Sequence, residues 1–320
     1  PVRVWQAPNG RWLVDLGQNI AGVLRIRLHG KIGQRVRLTH SELLTPDGDL
    51  DVSWIWHGKK WYQRDEIILA GGTTWVQPWF TIHGFRYVAV DGIDGALGID
   101  DVQGIVLSSA LRPTGSFTCS DERLNKLYQN VGWSLRSNFV DVPTDCPTRE
   151  RSGWTGDIQV FAPMSTMLVD GQAFLRRYLR CLAWEQLDDG RVPPWIPVGN
   201  MPGRSKGIPG WVERHQANSV GWGDVAVILP WTLYRYFGDR IVLQRQYPSM
   251  KRWVDHMART ARKSHVSRYF RKSLGAHELY LLDTGFHWGE WLRPGENDMD
   301  FVVLKVLLKI FGSSPIVATA

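Results

Sequence analysis

Up to about Leu111, apolar and polar positions alternate in short runs. Trp12-Leu13-Val14-Asp15-Leu16 is a short apolar run, and residues 23–28 and 35–39 alternate apolar with polar or basic side chains. A period of two is that of a strand with one face buried. Residues 66–69, 85–90 and 102–107 extend the series, and Gly30, Gly33, Asp47-Gly48, Gly71-Gly72 and Asp94-Gly95 punctuate it as turns. Many short strands between glycine turns predict an antiparallel β-sandwich over residues 1–112.

Past Arg112-Pro113 the period lengthens. Ser120-Asp121-Glu122-Arg123-Leu124 predicts a helix start, with Ser120 as N-cap and acids in the first turn. Leu124, Leu127, Tyr128 and Val131 then recur at helical spacing, and residues 161–184, 224–237, 247–263 and 301–311 keep that period. Loops rich in Gly, Pro and Trp separate them at 193–211 and 286–295. Residues 113–320 therefore read as an all-α domain that binds ligands through loops at one end. No fixed internal repeat supports a solenoid.

Composition narrows the function. With 43% hydrophobic and 22% charged residues in 320, the chain is neither disordered nor collagenous. No apolar run approaches the roughly 20 residues that span a bilayer, and the longest is broken by Lys305 and Lys309. No membrane partner is expected. Cys119, Cys146 and Cys181 form neither a disulfide framework nor a CxxC zinc pattern. Reduced thiols and the lack of a visible signal segment favour a cytoplasmic setting. The net charge of +7 is dispersed, which fits a solvated basic surface and not nucleic-acid binding. No metal site and no cofactor are expected. Seventeen tryptophans stand out. Indole faces stack on the C–H faces of sugars, although a Trp-rich helical core is the alternative.

The chemistry concentrates in residues 141–157, Asp-Val-Pro-Thr-Asp-Cys-Pro-Thr-Arg-Glu-Arg-Ser-Gly-Trp-Thr-Gly-Asp. Two prolines and two glycines keep most of it irregular between helical segments. It supplies the acids Asp145, Glu150 and Asp157, two arginines and the platform Trp154. Glycoside hydrolysis needs one carboxylic acid to protonate the leaving oxygen and a carboxylate on the other side of the sugar. Arg149 and Arg151 oppose a raised acid pKa if they point inward. A loop stitched by Asp–Arg ion pairs, without catalysis, is the plainer alternative.

This stretch resembles the signature of the bacterial α-L-rhamnosidases of glycoside hydrolase family 78. Val14-Asp15-Leu16-Gly17-Gln18-Asn19, Ala21-Gly22, Ser41-Glu42 and residues 80–88 resemble that family's β-domain. Residues 120–125 and Asn138-Phe139 resemble its barrel entry. The resemblance implies an (α/α)6 toroid and hydrolysis with inversion of terminal non-reducing α-L-rhamnose from rhamnose-containing glycosides or oligosaccharides. Glu150 would be the general acid. Asp145 and Asp157 would bind hydroxyls, Trp154 would pack on the ring and its methyl group, and Arg149 would add a hydroxyl contact.

Trp222-Gly223-Asp224 sits where the family places pocket residues, although Asp224 suits a helix N-cap equally well; Trp211 is similar. Trp288, Glu290 and Trp291, within 286–291, read either as sugar contacts or as loop packing. Asp188-Asp189-Gly190 reads as a turn, and His83 as a satisfied histidine of the β-domain. Inversion needs a second carboxylate about 6.5–9.5 Å from the acid to activate water. The residues after Arg112 offer too few helices for six pairs, so the toroid is expected to be incomplete and the base lost by truncation. Glu290 is the one internal substitute. The competing reading is a carbohydrate-binding protein without turnover; a third is a toroidal enzyme for another sugar.

Overall fold

The computed structural model describes residues 1–55, 63–198, 217–262 and 287–288. The chain divides into two compact units: Pro1–Leu111 with Ser116–Arg151, and Arg112–Gly115 with the chain from Ser152 onward.

The first unit is built on antiparallel strands: β1 (Arg3–Gln6), β2 (Trp12–Ser41), the short pair β3 (Leu43–Leu44) and β4 (Leu50–Asp51), then β5 (Arg64–Val76), β6 (His83–Asp91) and β7 (Val102–Val106). The predicted runs at 12–16, 23–28 and 35–39 all fall within β2. That strand pairs with β6 twice: Val88 lies opposite Val14 on one side and His40 on the other. β6 is thus held between the two ends of β2, while β7 and β5 pair along its middle. The alternation read from sequence is the burial pattern observed. Leu24, Ile26 and Leu28 are buried while Arg25 and Arg27 are exposed. They pack with Val36, Leu38, Phe85, Val88 and Val90 in one core. Each such fully buried side chain contributes about 1.5–3 kcal/mol.

Two turn predictions need correcting. Gly30 and Gly71-Gly72 lie inside paired strands, with Gly30 opposite Gly72, and the register slips between Ile32 and Arg35. Gly33, Gly71 and Gly72 have φ of +80°, +93° and +75°, so these glycines make a bulge in a continuing ladder. A lone sequence cannot separate this from a reversal.

Helix α1 (Glu122–Asn138) belongs to the first unit, and its Trp133 packs on the sheet core. Its N-cap is Asp121, not Ser120: the Asp121 carboxylate accepts the Arg123 N–H at 2.9 Å. An ionised cap adds its charge to the helix dipole, which a hydroxyl does not. Leu124 and Leu127 are exposed, and Leu135 is the buried apolar residue of the helix.

The second unit contains α2 (Thr155–Leu168), α3 (Gln172–Glu185), α4 (Val225–Phe237) and α5 (Arg240–Ala261). The run predicted as one helix over 161–184 is two. The Asp170 N–H donates to Arg112 O and the Thr114 N–H to Leu168 O, so residues 112–115 pair with extended Val169 and interrupt the helical ladder. α5 begins well before the predicted 247, because Asp239 caps it and the helix accommodates Pro248. α3 buries Leu175, Tyr178, Leu179 and Leu182 at helical spacing. Residues 187–191 form the expected turn, closed by the Gly190 N–H on Leu187 O. The helix predicted at 301–311 lies outside the described residues. No helix among the described residues is long and apolar enough to cross a membrane.

Candidate active site

The acid-rich loop crosses from one unit to the other between Arg151 and Ser152. Its first half is fastened to the sheet unit. The Thr144 N–H donates to Asn138 O at 2.9 Å, holding the loop against the end of α1. Thr148 donates its hydroxyl to Glu42 at 2.5 Å. Pro147 and Thr148 lie so close to Gly84 that an added Cβ would stand 2.8 Å from Pro147 Cγ. Arg151 is the non-glycine residue with positive φ, +53°, among the described residues. Its guanidinium donates to Ile82 O and Gln63 Oε1, each at 2.7 Å.

Within that frame lie three of the predicted residues. Glu150 has a side chain only 15% exposed, and its carboxylate accepts from Arg149 at 3.0 Å. The Glu150 N–H donates to Cys146 Sγ at 3.1 Å. Burial, then the adjacent Asp145, push the Cys146 thiol up to about 11, so it stays protonated and acts as a packing and accepting group. Asp145 is half-buried beside it.

The second half of the loop is pinned in the helical unit. Thr155 donates both its N–H and its hydroxyl to Pro194 O, at 2.8 and 2.9 Å. The Ile196 N–H and Tyr178 hydroxyl both donate to Gly153 O. Burial raises the Tyr178 phenol well above its ordinary value, so it remains a donor. These bonds place Trp154 edge to face with Trp195 (5.1 Å) and Trp288 (5.2 Å), and Trp222 lies 6.2 Å from Trp288. Gly156 leaves room for Trp222, whose ring lies 2.9 Å from where a Cβ would stand. Asp157 occupies the first turn of α2 and is exposed.

Asp224 stands at the N-cap position of α4, but its side chain caps none of that helix's own N–H groups. It accepts instead from Gly221 N–H at 2.8 Å and the Trp253 indole at 2.9 Å. It is 2% exposed, and burial pushes its carboxyl up to about 6.

The structure therefore groups Asp145, Arg149 and Glu150 in one unit, and Trp154, Trp222 and Trp288 in the other. Trp211, Glu290 and Trp291 lie outside the described residues. Sequence reading missed Trp195 and Trp253, whose partners are distant in sequence. It also missed a buried cluster of His40, Gln63 and Asp65 around His83. Only His83 had been singled out, as a satisfied histidine, and both of its ring nitrogens do have partners. The ligating atoms of His40, Asp65 and His83 lie within 4.8 Å of one another. The two imidazoles, however, stack at 4.1 Å and 15°. Their in-plane lone pairs run side by side and do not converge on one ion.

Comparison with known proteins covers both units. The family model of the bacterial alpha-L-rhamnosidase concanavalin-like domain matches residues 5–108, and that of the bacterial alpha-L-rhamnosidase 6 hairpin glycosidase domain matches 112–305. An alpha-L-rhamnosidase of Streptomyces avermitilis is 36% identical over 298 residues, 92% of this chain and 26% of that protein. One of Formosa agariphila is 37% identical over 263 residues, 80% of this chain and 27% of that protein. Among solved structures, the alpha-L-rhamnosidase from Dictyoglumus thermophilum superposes with a TM-score of 0.80 at 29% identity, covering 98% of this chain and 32% of that one. The Streptomyces avermitilis enzyme complexed with L-rhamnose gives 0.79 at 32% identity, covering 99% and 29%. The chain thus spans about a quarter to a third of the length of these relatives.

Proposed function

The chain belongs to the bacterial α-L-rhamnosidase family, and on that premise we propose that it forms the acid side of an inverting glycoside hydrolase that removes terminal α-L-rhamnose from rhamnosides. Helices α1–α5 are read as members of an (α/α)6 toroid spanning 113–320, and residues 1–112 as its β-sandwich accessory domain. Glu150 donates a proton to the glycosidic oxygen as the bond to the sugar breaks. Asp145, Asp157 and Arg149 bind ring hydroxyls. Trp154, Trp222 and Trp288 offer apolar faces to a 6-deoxy sugar, whose methyl group needs an apolar wall. Asp224 holds Gly221, next to Trp222, and the indole of Trp253. Glu290 and Trp291, outside the described residues, are retained as proposed sugar contacts from their sequence alone. Water on the opposite face must be activated by a separate carboxylate.

The observation that supports this reading most is that the 112–305 match contains the whole acid-and-indole stretch. There Glu150 is fixed by its own N–H on Cys146, and Trp154 belongs to an indole cluster. The test is Glu150→Gln, assayed by chromophore release from an aryl α-L-rhamnoside and by L-rhamnose titration. Loss of a general acid should lower kcat by about 10²–10⁴-fold and leave binding intact. Proton NMR of the first product should show the β anomer. An unimpaired variant would dismiss Glu150 as the donor. Rhamnose binding without turnover in a protein that also carries the water-activating carboxylate would instead indicate a binding protein, and cleavage of other glycosides in preference would move the substrate class.

A further inference from the structure

We propose that Gln63, His83 and Asp65 are positioning residues for Glu150, acting through Arg151; this rests on the reading of Glu150 as the proton donor. Arg151 follows Glu150 directly and is held at φ +53°, a left-handed conformation that costs a side-chain-bearing residue about 1–2 kcal/mol. Such a conformation persists only where surrounding bonds over-determine it. Here those bonds run to the sheet unit. The guanidinium bridges Ile82 O and Gln63 Oε1, at 2.7 Å each, and reaches back to Thr148 O at 3.4 Å.

Gln63 is itself fixed. It is fully buried, and its Nε2 donates to Gly84 O at 2.6 Å, so its Oε1 must be the end that faces Arg151 and His83. His83 Nδ1 lies 3.2 Å from that oxygen, and its Nε2 lies 3.0 Å from Asp65 Oδ1. An amide oxygen and a carboxylate only accept. Both ring nitrogens of His83 therefore face acceptors, and Asp65 lies beside it as its ion-pair partner. Burial raises the Asp65 carboxyl, but the hydrogen bond and charge of His83, with His40 and Arg151, outweigh it and hold Asp65 below its ordinary value. His40 stacks on His83, and burial together with the charge of His83 pushes it down to about 3, so it stays neutral. The chain of contacts Asp65–His83–Gln63–Arg151 thus ends one peptide from Glu150. A second clamp, Thr148 on Glu42, grips the same loop from β2's end.

His40, Gln63 and His83 are buried, and the effect of the cluster on the reaction passes through the backbone of Glu150. The test compares Gln63→Leu and Asp65→Asn with the unmodified full chain by hydrogen-exchange mass spectrometry and by steady-state kinetics. Asp65→Asn preserves shape and removes only the counter-charge. Amide exchange in residues 141–151 should accelerate, most in Gln63→Leu, while α1 and β7 keep their rates. Because a displacement of about 1 Å costs up to about 10²-fold, kcat should fall by about 10-fold or more with KM unchanged. Unaltered exchange in 141–151 would overturn the proposal, as would acceleration spread evenly over the unit, or altered exchange with kcat intact. Stoichiometric zinc uptake abolished by His83→Leu would also overturn it, in favour of a metal site. If the unmodified protein hydrolyses no rhamnoside, the missing step is water activation by the separate carboxylate, and the exchange arm alone decides whether the cluster anchors the loop.

Discussion

Asp224 shows how one buried carboxyl ties stability to pH. It lies under the indole of Trp253 with two donors, and burial outweighs them, raising its carboxyl from 3.8 to about 6. Between about pH 4 and 6 the unfolded carboxyl has lost its proton while the folded one keeps it. Stability therefore falls as pH rises through that window, by an amount on the order of 3 kcal/mol. Asparagine does not titrate. The difference in unfolding free energy between the unmodified protein and Asp224→Asn, measured by urea denaturation, should shrink from pH 4 to 7. A difference that is flat with pH would mean that Asp224 ionises normally in the fold. Residue identity in the sequence signalled a polar group at a helix start. It did not signal that this group faces Trp253, because that contact joins the chain across 29 positions.

At the scale of elements, legibility followed the range of the forces involved. The middle of β2 was readable because burial of one sheet face imposes period two directly on residues 24–28, where Leu24, Ile26 and Leu28 are buried and Arg25 and Arg27 exposed. The Gly30–Gly72 bulge and the break at Val169 were not, since each is made by a partner strand or segment far away in sequence. The start of α5 was missed for a related reason: its cap residue is shared between two helices. Asp239 accepts the Val242 N–H at 3.0 Å, pairs with Arg176 at 2.7 Å and accepts from Gln172 at 2.9 Å, tying α5 to α3. Its carboxylate is 2% exposed. Asp239→Ala should cost about 2 kcal/mol, the upper end for an N-cap, because the cap and the inter-helix bonds go together. Thermal unfolding checks this, with Asp239→Asn recovering part of the loss. An alanine variant as stable as the parent would show that the α3–α5 contact rests on apolar packing alone.

At the scale of the whole molecule, the acid loop is a single sequence motif served by two structural units. Residues 141–151 are clamped by Glu42, Gln63 and Ile82, whereas 153–155 are clamped by Tyr178, Pro194 and Ile196. The chemistry of the motif was legible from its residue types, and these supports were not. A ligand held by one half of the loop should therefore stabilise the unit that clamps that half. If L-rhamnose binds the native state alone, it stabilises by RT ln(1 + [L]/Kd), about 2.7 kcal/mol at a hundredfold excess over Kd. The melting temperature should rise by several degrees with L-rhamnose and stay unchanged with D-glucose, which lacks the methyl group that an indole wall selects. On the proposed role of Glu150, Glu150→Gln should retain the rise, since a proton donor acts mainly in the transition state. On the proposed role of Trp154 as the ring platform, Trp154→Ala should lose most of it; Trp154 also packs on Trp195 and Trp288. Equal shifts with both sugars, or a full shift in Trp154→Ala, would remove the indole cluster from the sugar site and leave it as core.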